Sequence, residues 1–104
     1  MAKGYVVVIE EVHDEEGIAA YAQAAAPAII ESSAEVLAFD LQPAVLEGEV
    51  NGQRAVILEF ESVQAAQEWY DSAAYEAAIH LRQAAARSTV MIVSGVPSSA
   101  PVQG

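Results

Sequence analysis

The chain has 104 residues, 15 of them Asp or Glu and 4 Lys or Arg, for a formal net charge of -11; 54% of it is hydrophobic and it has no cysteine. That length closes one core and is too short for two, and the negative charge repels phosphate backbones and anionic lipid, which disfavours nucleic-acid and membrane-surface roles. Without cysteine there is no disulfide, thiolate nucleophile or thiolate metal site, and the apolar fraction argues against disorder. No apolar run approaches the roughly 20 residues of a membrane helix. Met1-Ala2-Lys3-Gly4-Tyr5 runs straight into a strand pattern with no signal-peptide layout. The expectation is a soluble cytoplasmic domain over 1–96, followed by a disordered tail over 97–104 rich in Pro and Ser.

Tyr5-Val6-Val7-Val8-Ile9 is apolar on both faces before the chain turns polar at Glu10-Glu11, which predicts a strand in the interior of its sheet. Asp14 is a good N-cap, with Glu15 and Glu16 suited to the positive end of a helix. Ile18, Tyr21, Ala22, Ala25 and Ile29 then recur at helical spacing. Pro27 inside that stripe predicts a kink, or the end of regular helix near Ala26. Ser32-Ser33 breaks the helix. Val36, Leu37, Phe39, Leu41, Val45 and Leu46 read as one long strand interrupted at Pro43, at a sheet edge with a bulge at Gln42-Pro43.

Asn51-Gly52 is the strongest hairpin signal, because both residues tolerate the positive φ of a type I′ turn. Its partner strand, Ala55 to Phe60, is again apolar on both faces and is expected beside the first strand. Ser62 caps a short helix carrying Val63, Ala66, Trp69 and Tyr70. Asp71-Ser72 opens another from about Ala73 to Ala86, with Ala74, Tyr75, Ala78, Ile79, Leu81 and Ala85 on its apolar face. Thr89 to Val93 is the last strand.

This order, β-α-β-β-α-β, defines an α+β, ferredoxin-like fold with a four-stranded antiparallel sheet. Helices cover one face of such a sheet and leave the other bare. Three strands apolar on both sides therefore call for a second cover, most simply another copy packed sheet to sheet as a symmetric homodimer.

Glu59-Phe60 followed by Ser62, Ala66, Trp69-Tyr70, Ser72, Tyr75 and Arg82 resembles the signature of the uncharacterised bacterial family called domain of unknown function 1330. Lys3-Gly4-Tyr5, Pro27 with Ile29, and Leu46-Glu47-Gly48 fall where that family has them, so the resemblance covers roughly residues 3 to 96. It implies the dimeric α+β barrel superfamily, which includes cofactor-free monooxygenases, lactone isomerases, haem proteins and ligand-binding modules, so fold does not fix chemistry. The family pattern carries two arginines on the second strand where this chain has Glu35 and Phe39. An anion site built on them in relatives would be lost here.

With both strand arginines missing, Arg82 reads as the one inward cation, since a helical wheel of about 100° per residue sets it beside Tyr75, Ala78 and Ile79. Either it anchors a ligand carboxylate, phenolate or enolate, or it pairs with Glu59 or Glu47. Tyr21, Trp69, Tyr70 and Tyr75, with Phe39, either line a small cavity between helices and sheet or fill the core of an alanine-rich protein. Glu59 and Glu47 are candidate carboxylate bases. His80 falls on a polar face with Glu76 and reads as a solvated pair with it; His13 sits at a strand-helix junction among acidic neighbours. No two histidines have a helical metal spacing, so no metal is expected.

Glu10, Glu11, Glu15, Glu16, Glu31, Glu61, Glu68 and Glu76 read as a solvated rim. The expectation is a homodimer binding a small aromatic or carbonyl metabolite. Its chemistry, if any, is cofactor-independent proton transfer, isomerisation or oxygenation, with Arg82 stabilising negative charge and Glu59 or a tyrosine as acid or base. The alternative is a non-catalytic dimerisation or ligand-sensing module.

Overall fold

The elements in chain order are β1 (Gly4–Val12), α1 (Glu15–Ser32), β2 (Glu35–Asp40), β3 (Arg54–Phe60), α2 (Val63–Asp71), α3 (Ala73–Ala85) and β4 (Ala86–Ser94), in a computed structural model that describes residues 2–50 and 54–97. The Asn51-Gly52 turn and the tail from residue 98 onward lie outside the described residues. The four strands form one sheet of order β2-β3-β1-β4, every neighbouring pair antiparallel. This is the α+β, ferredoxin-like order that the strand and helix signals implied. No helix among the described residues is long and apolar enough to cross a membrane.

β1 and β3 are the interior strands, in a register that sets Val6 opposite Leu58, Val8 opposite Val56 and Glu10 opposite Arg54. Because side chains alternate along a strand, these pairs share one face. Val6, Leu58 and Phe60 there pack with Ala25, Ala28, Ala66, Trp69, Tyr75 and Ala78 into the core beneath the helices. Val7, Ile9, Ile57, Met91 and Val93 alternate onto the other face, which no helix among the described residues covers; Met91 is 44% and Val93 40% exposed.

Short polar side chains fix where the helices begin. Asp14 Oδ1 accepts from Gly17 N at 3.0 Å, Ser62 Oγ from Ala65 N at 3.0 Å and Ser72 Oγ from Tyr75 N at 3.1 Å, each relieving an N–H with no partner inside its helix. Ser33, in the left-handed region at φ 61, ends α1. Gly4 has no room for a Cβ, which would collide with the backbone of Ser62 and Val63. β1 thus lies directly against the start of α2.

Three expectations are corrected. Pro27 does not end the helix, because α1 continues to Ser32. Proline denies a partner only to the carbonyl of Gln23, both residues are exposed to water, and buried Ala28 holds the next turn against the core. β2 stops at Asp40, whose Oδ1 accepts from Gln42 N at 2.9 Å and turns the chain out of the sheet. Its bulge falls between Val36 and Ala38, not at Gln42-Pro43. Leu81 is 39% exposed, and the inward position beside it belongs to Arg82.

Candidate functional site

The middle of α1 is nearly all alanine, so its side chains stop short of the sheet edge. Between Ala22, Ala25 and Ala26 on the helix and Phe39, Val56 and Leu58 on β2 and β3 lies a cavity of about 300 Å³, with Trp69 in its wall and open to solvent where the exposed Ile30, Val36 and Phe39 line it. Its lining is apolar except for Tyr21, Glu10 and Arg54, with the Trp69 ring among the apolar residues. The Trp69 indole N–H is buried and has no hydrogen-bond partner among the described residues. A wider hollow of about 630 Å³, where His13 lies, is bordered by Glu11, Gln83 and Arg87, with His13, Gln83 and Arg87 exposed.

Tyr21 enters the cavity from α1, and its hydroxyl lies 2.8 Å from that of Tyr75, which is 1% exposed. Behind Tyr75, Arg82 Nε donates to the same hydroxyl at 3.4 Å. A guanidinium can only donate, so the Tyr75 oxygen accepts from it. The Tyr75 proton, buried with Tyr21 as its neighbour, is satisfied by pointing to the Tyr21 oxygen, since a buried unpaired hydroxyl costs about 1–3 kcal/mol. In this arrangement the polarity runs from Arg82 through Tyr75 to Tyr21 and leaves the Tyr21 proton unused within the pair. Burial, then the neighbouring Tyr75, push the Tyr21 phenol well above its ordinary value, with Arg82 opposing, so the proton is held at neutral pH.

Arg82 is inward, as the wheel implied, at 5% exposure, but it pairs with neither Glu59 nor Glu47. Glu59 faces the other side of the sheet, where its Oε2 accepts from Tyr5 at 3.0 Å and Lys3 Nζ lies 3.8 Å from Oε1. Glu47 is exposed beyond β2. Tyr21, Trp69 and Phe39 meet at the cavity. Tyr75 reaches it only through Tyr21, and Tyr70, stacked 5.6 Å from Tyr75, borders separate hollows on the far side. His80 is exposed and forms no ion pair with Glu76 among the described residues.

Glu10 is no part of a solvated rim. It is 1% exposed, and its Oε1 accepts from Arg54 Nε at 2.7 Å across β1 and β3. Arg54 is a second inward cation, its guanidinium 5.0 Å over the ring of Phe39. The cation reaches this spot from β3. The signal that could have found the pair is strand parity: Glu10 follows Val6 and Val8 at period two, and Arg54 precedes Val56, Leu58 and Phe60 at the same period.

The sheet order and the helices on one face define a ferredoxin-like α+β protein, with a hollow under its first helix. The chain belongs to the family described as domain of unknown function (DUF1330), whose sequence profile matches residues 3–96. A protein of unknown function from Rhodopseudomonas palustris has a similar structure, with a TM-score of 0.77 at 19% identity over 92% of this chain and 84% of that one. A dimeric ferredoxin-like protein of unknown function from Thermobifida fusca superposes with a TM-score of 0.59 at 12% identity, covering 89% and 91% of the two chains. SnoaB, a cofactor-independent oxygenase from Streptomyces nogalater, does so at 0.56 and 12% identity, covering 97% and 100%. At these identities the likeness is one of fold. Comparison with curated proteins finds no match.

Proposed function

We propose that this chain is a homodimer that binds a small aromatic or carbonyl metabolite in the cavity under α1 and acts on it without a cofactor. The observation that carries the reading is Tyr21, which lines the largely apolar cavity and whose hydroxyl lies 2.8 Å from that of Tyr75, itself an acceptor for Arg82 Nε. A phenol held protonated in a poorly solvated site can donate to a carbonyl oxygen and stabilise the negative charge that develops on it. That step serves proton transfer, isomerisation and oxygenation alike, and a cofactor-independent oxygenase shares this fold. Tyr21 touches the substrate in this scheme, and Arg82 is a positioning residue that acts through Tyr75. The homodimer is supported by the uncovered apolar face of the sheet and by the dimeric relative of the same fold.

The test is NMR-detected binding of acetophenone as the probe. Acetophenone is expected to shift signals of α1, β2 and β3 in the wild type, to lose binding in Ala22→Phe, which fills the cavity from an exposed helix position, and to bind about tenfold more weakly to Tyr21→Phe. Undiminished binding to Ala22→Phe would overturn the reading.

A further inference from the structure

Glu10 and Arg54 are an ion pair placed where charges are expensive. Glu10 keeps 2% of its side-chain exposure and Arg54 14%, and both line the cavity. Their hydrogen bond joins Nε to Oε1. Among the described residues it leaves Glu10 Oε2 and the Nη amino groups of Arg54 without a hydrogen-bond partner. The Phe39 ring lies under the guanidinium and a 2.7 Å bond joins the two side chains, so a carboxylate and a guanidinium stand side by side in the lining of a cavity whose other polar side chain is Tyr21.

We propose that Glu10 and Arg54 form the recognition site for a neutral hydroxy-carbonyl group on the ligand, whose carbonyl oxygen accepts from Arg54 Nη and whose hydroxyl donates to Glu10 Oε2. Charge decides between this class and an acid. The pair is already neutral as a unit, so a ligand carboxylate would bring an uncompensated anion beside desolvated Glu10. A hydroxy ketone, an enol or a catechol-like diol has the donor and acceptor that the two side chains lack and adds no net charge. An apolar ligand without a hydroxyl would offer Glu10 Oε2 no donor and forgo that hydrogen bond.

The proposal rests on the cavity reading above, and the experiment separates the two. Three probes of similar size are titrated calorimetrically into the wild type: phenacyl alcohol (a hydroxy ketone), acetophenone (no hydroxyl) and benzoylformate (a carboxylate). The same set is titrated into Glu10→Leu/Arg54→Met, a double substitution that removes both charges together because either single change would strand the other. Phenacyl alcohol is expected to bind the wild type about tenfold tighter than either comparator. The double variant is expected to weaken phenacyl alcohol more than acetophenone, which loses only the carbonyl contact to Arg54, so that the preference disappears. A preference that survives the double substitution, or benzoylformate as the tightest ligand of the wild type, would overturn the assignment while leaving the cavity reading intact. Failure of all three probes to bind the wild type would remove the cavity reading and this assignment with it.

Discussion

Tyr21 and Tyr75 meet hydroxyl to hydroxyl at 2.8 Å across α1 and α3, with their rings edge-on and 6.2 Å apart. Because Arg82 donates to Tyr75 from behind, the contact has a direction that two phenols alone would not have. Replacing Tyr75 by Phe removes the acceptor of Arg82 and the donor to Tyr21 at once. Tyr75→Phe is expected to lower unfolding free energy by about 1–3 kcal/mol in urea denaturation. A change within the error of the extrapolation would mean that this contact contributes nothing to the fold.

The raised Tyr21 phenol gives a pH dependence of defined sign. The unfolded chain releases this proton near the ordinary value of 10.0 and the folded chain only above it, so between those two points the folded state holds the extra proton. Its contribution to stability is complete below pH 10.0 and is lost as pH rises beyond it. Phenolate absorbance, taken as wild type minus Tyr21→Phe, is expected to show Tyr21 un-ionised at pH 10.0 in the native protein. A difference spectrum with ordinary phenol titration would contradict the burial of that hydroxyl.

Assembly follows from the uncovered face. Sedimentation at micromolar concentration is expected to report about twice the 10.9 kDa chain mass. Ile57→Glu, which adds a charge in the middle of that face, is expected to give a folded monomer with unchanged far-ultraviolet dichroism. A wild type that sediments as a monomer would show that something other than a second copy covers Val7, Ile57 and Met91.

The sequence made the architecture legible because strands and caps announce themselves locally. Tyr5 to Ile9 is apolar at every position, and Asp14, Ser62 and Ser72 stand one residue before the helices they cap. Arg82 was legible as inward from its wheel position alone. Its partner was not, since a tyrosine on the same helix face reads as core and gives no sign that its oxygen will take the place of a carboxylate. Glu10 and Arg54 were missed for a related reason. Each sits at the polar end of an apolar strand, where composition suggests a rim, and only the antiparallel register brings them opposite one another under α1. Pro27 misled because its cost falls on one carbonyl, and water at an exposed helix face meets that cost.

The claim that most needs testing is that the space under α1 is a ligand site with Tyr21 as its donor. A crystal of the protein soaked with phenacyl alcohol tests it most directly. The ring is expected between Ala22 and Phe39, with oxygen atoms within hydrogen-bond distance of the Tyr21 hydroxyl and the Glu10–Arg54 pair. α1 packed down onto β2 and β3 with no room left, or the probe seated elsewhere while this cavity stays open, would contradict it.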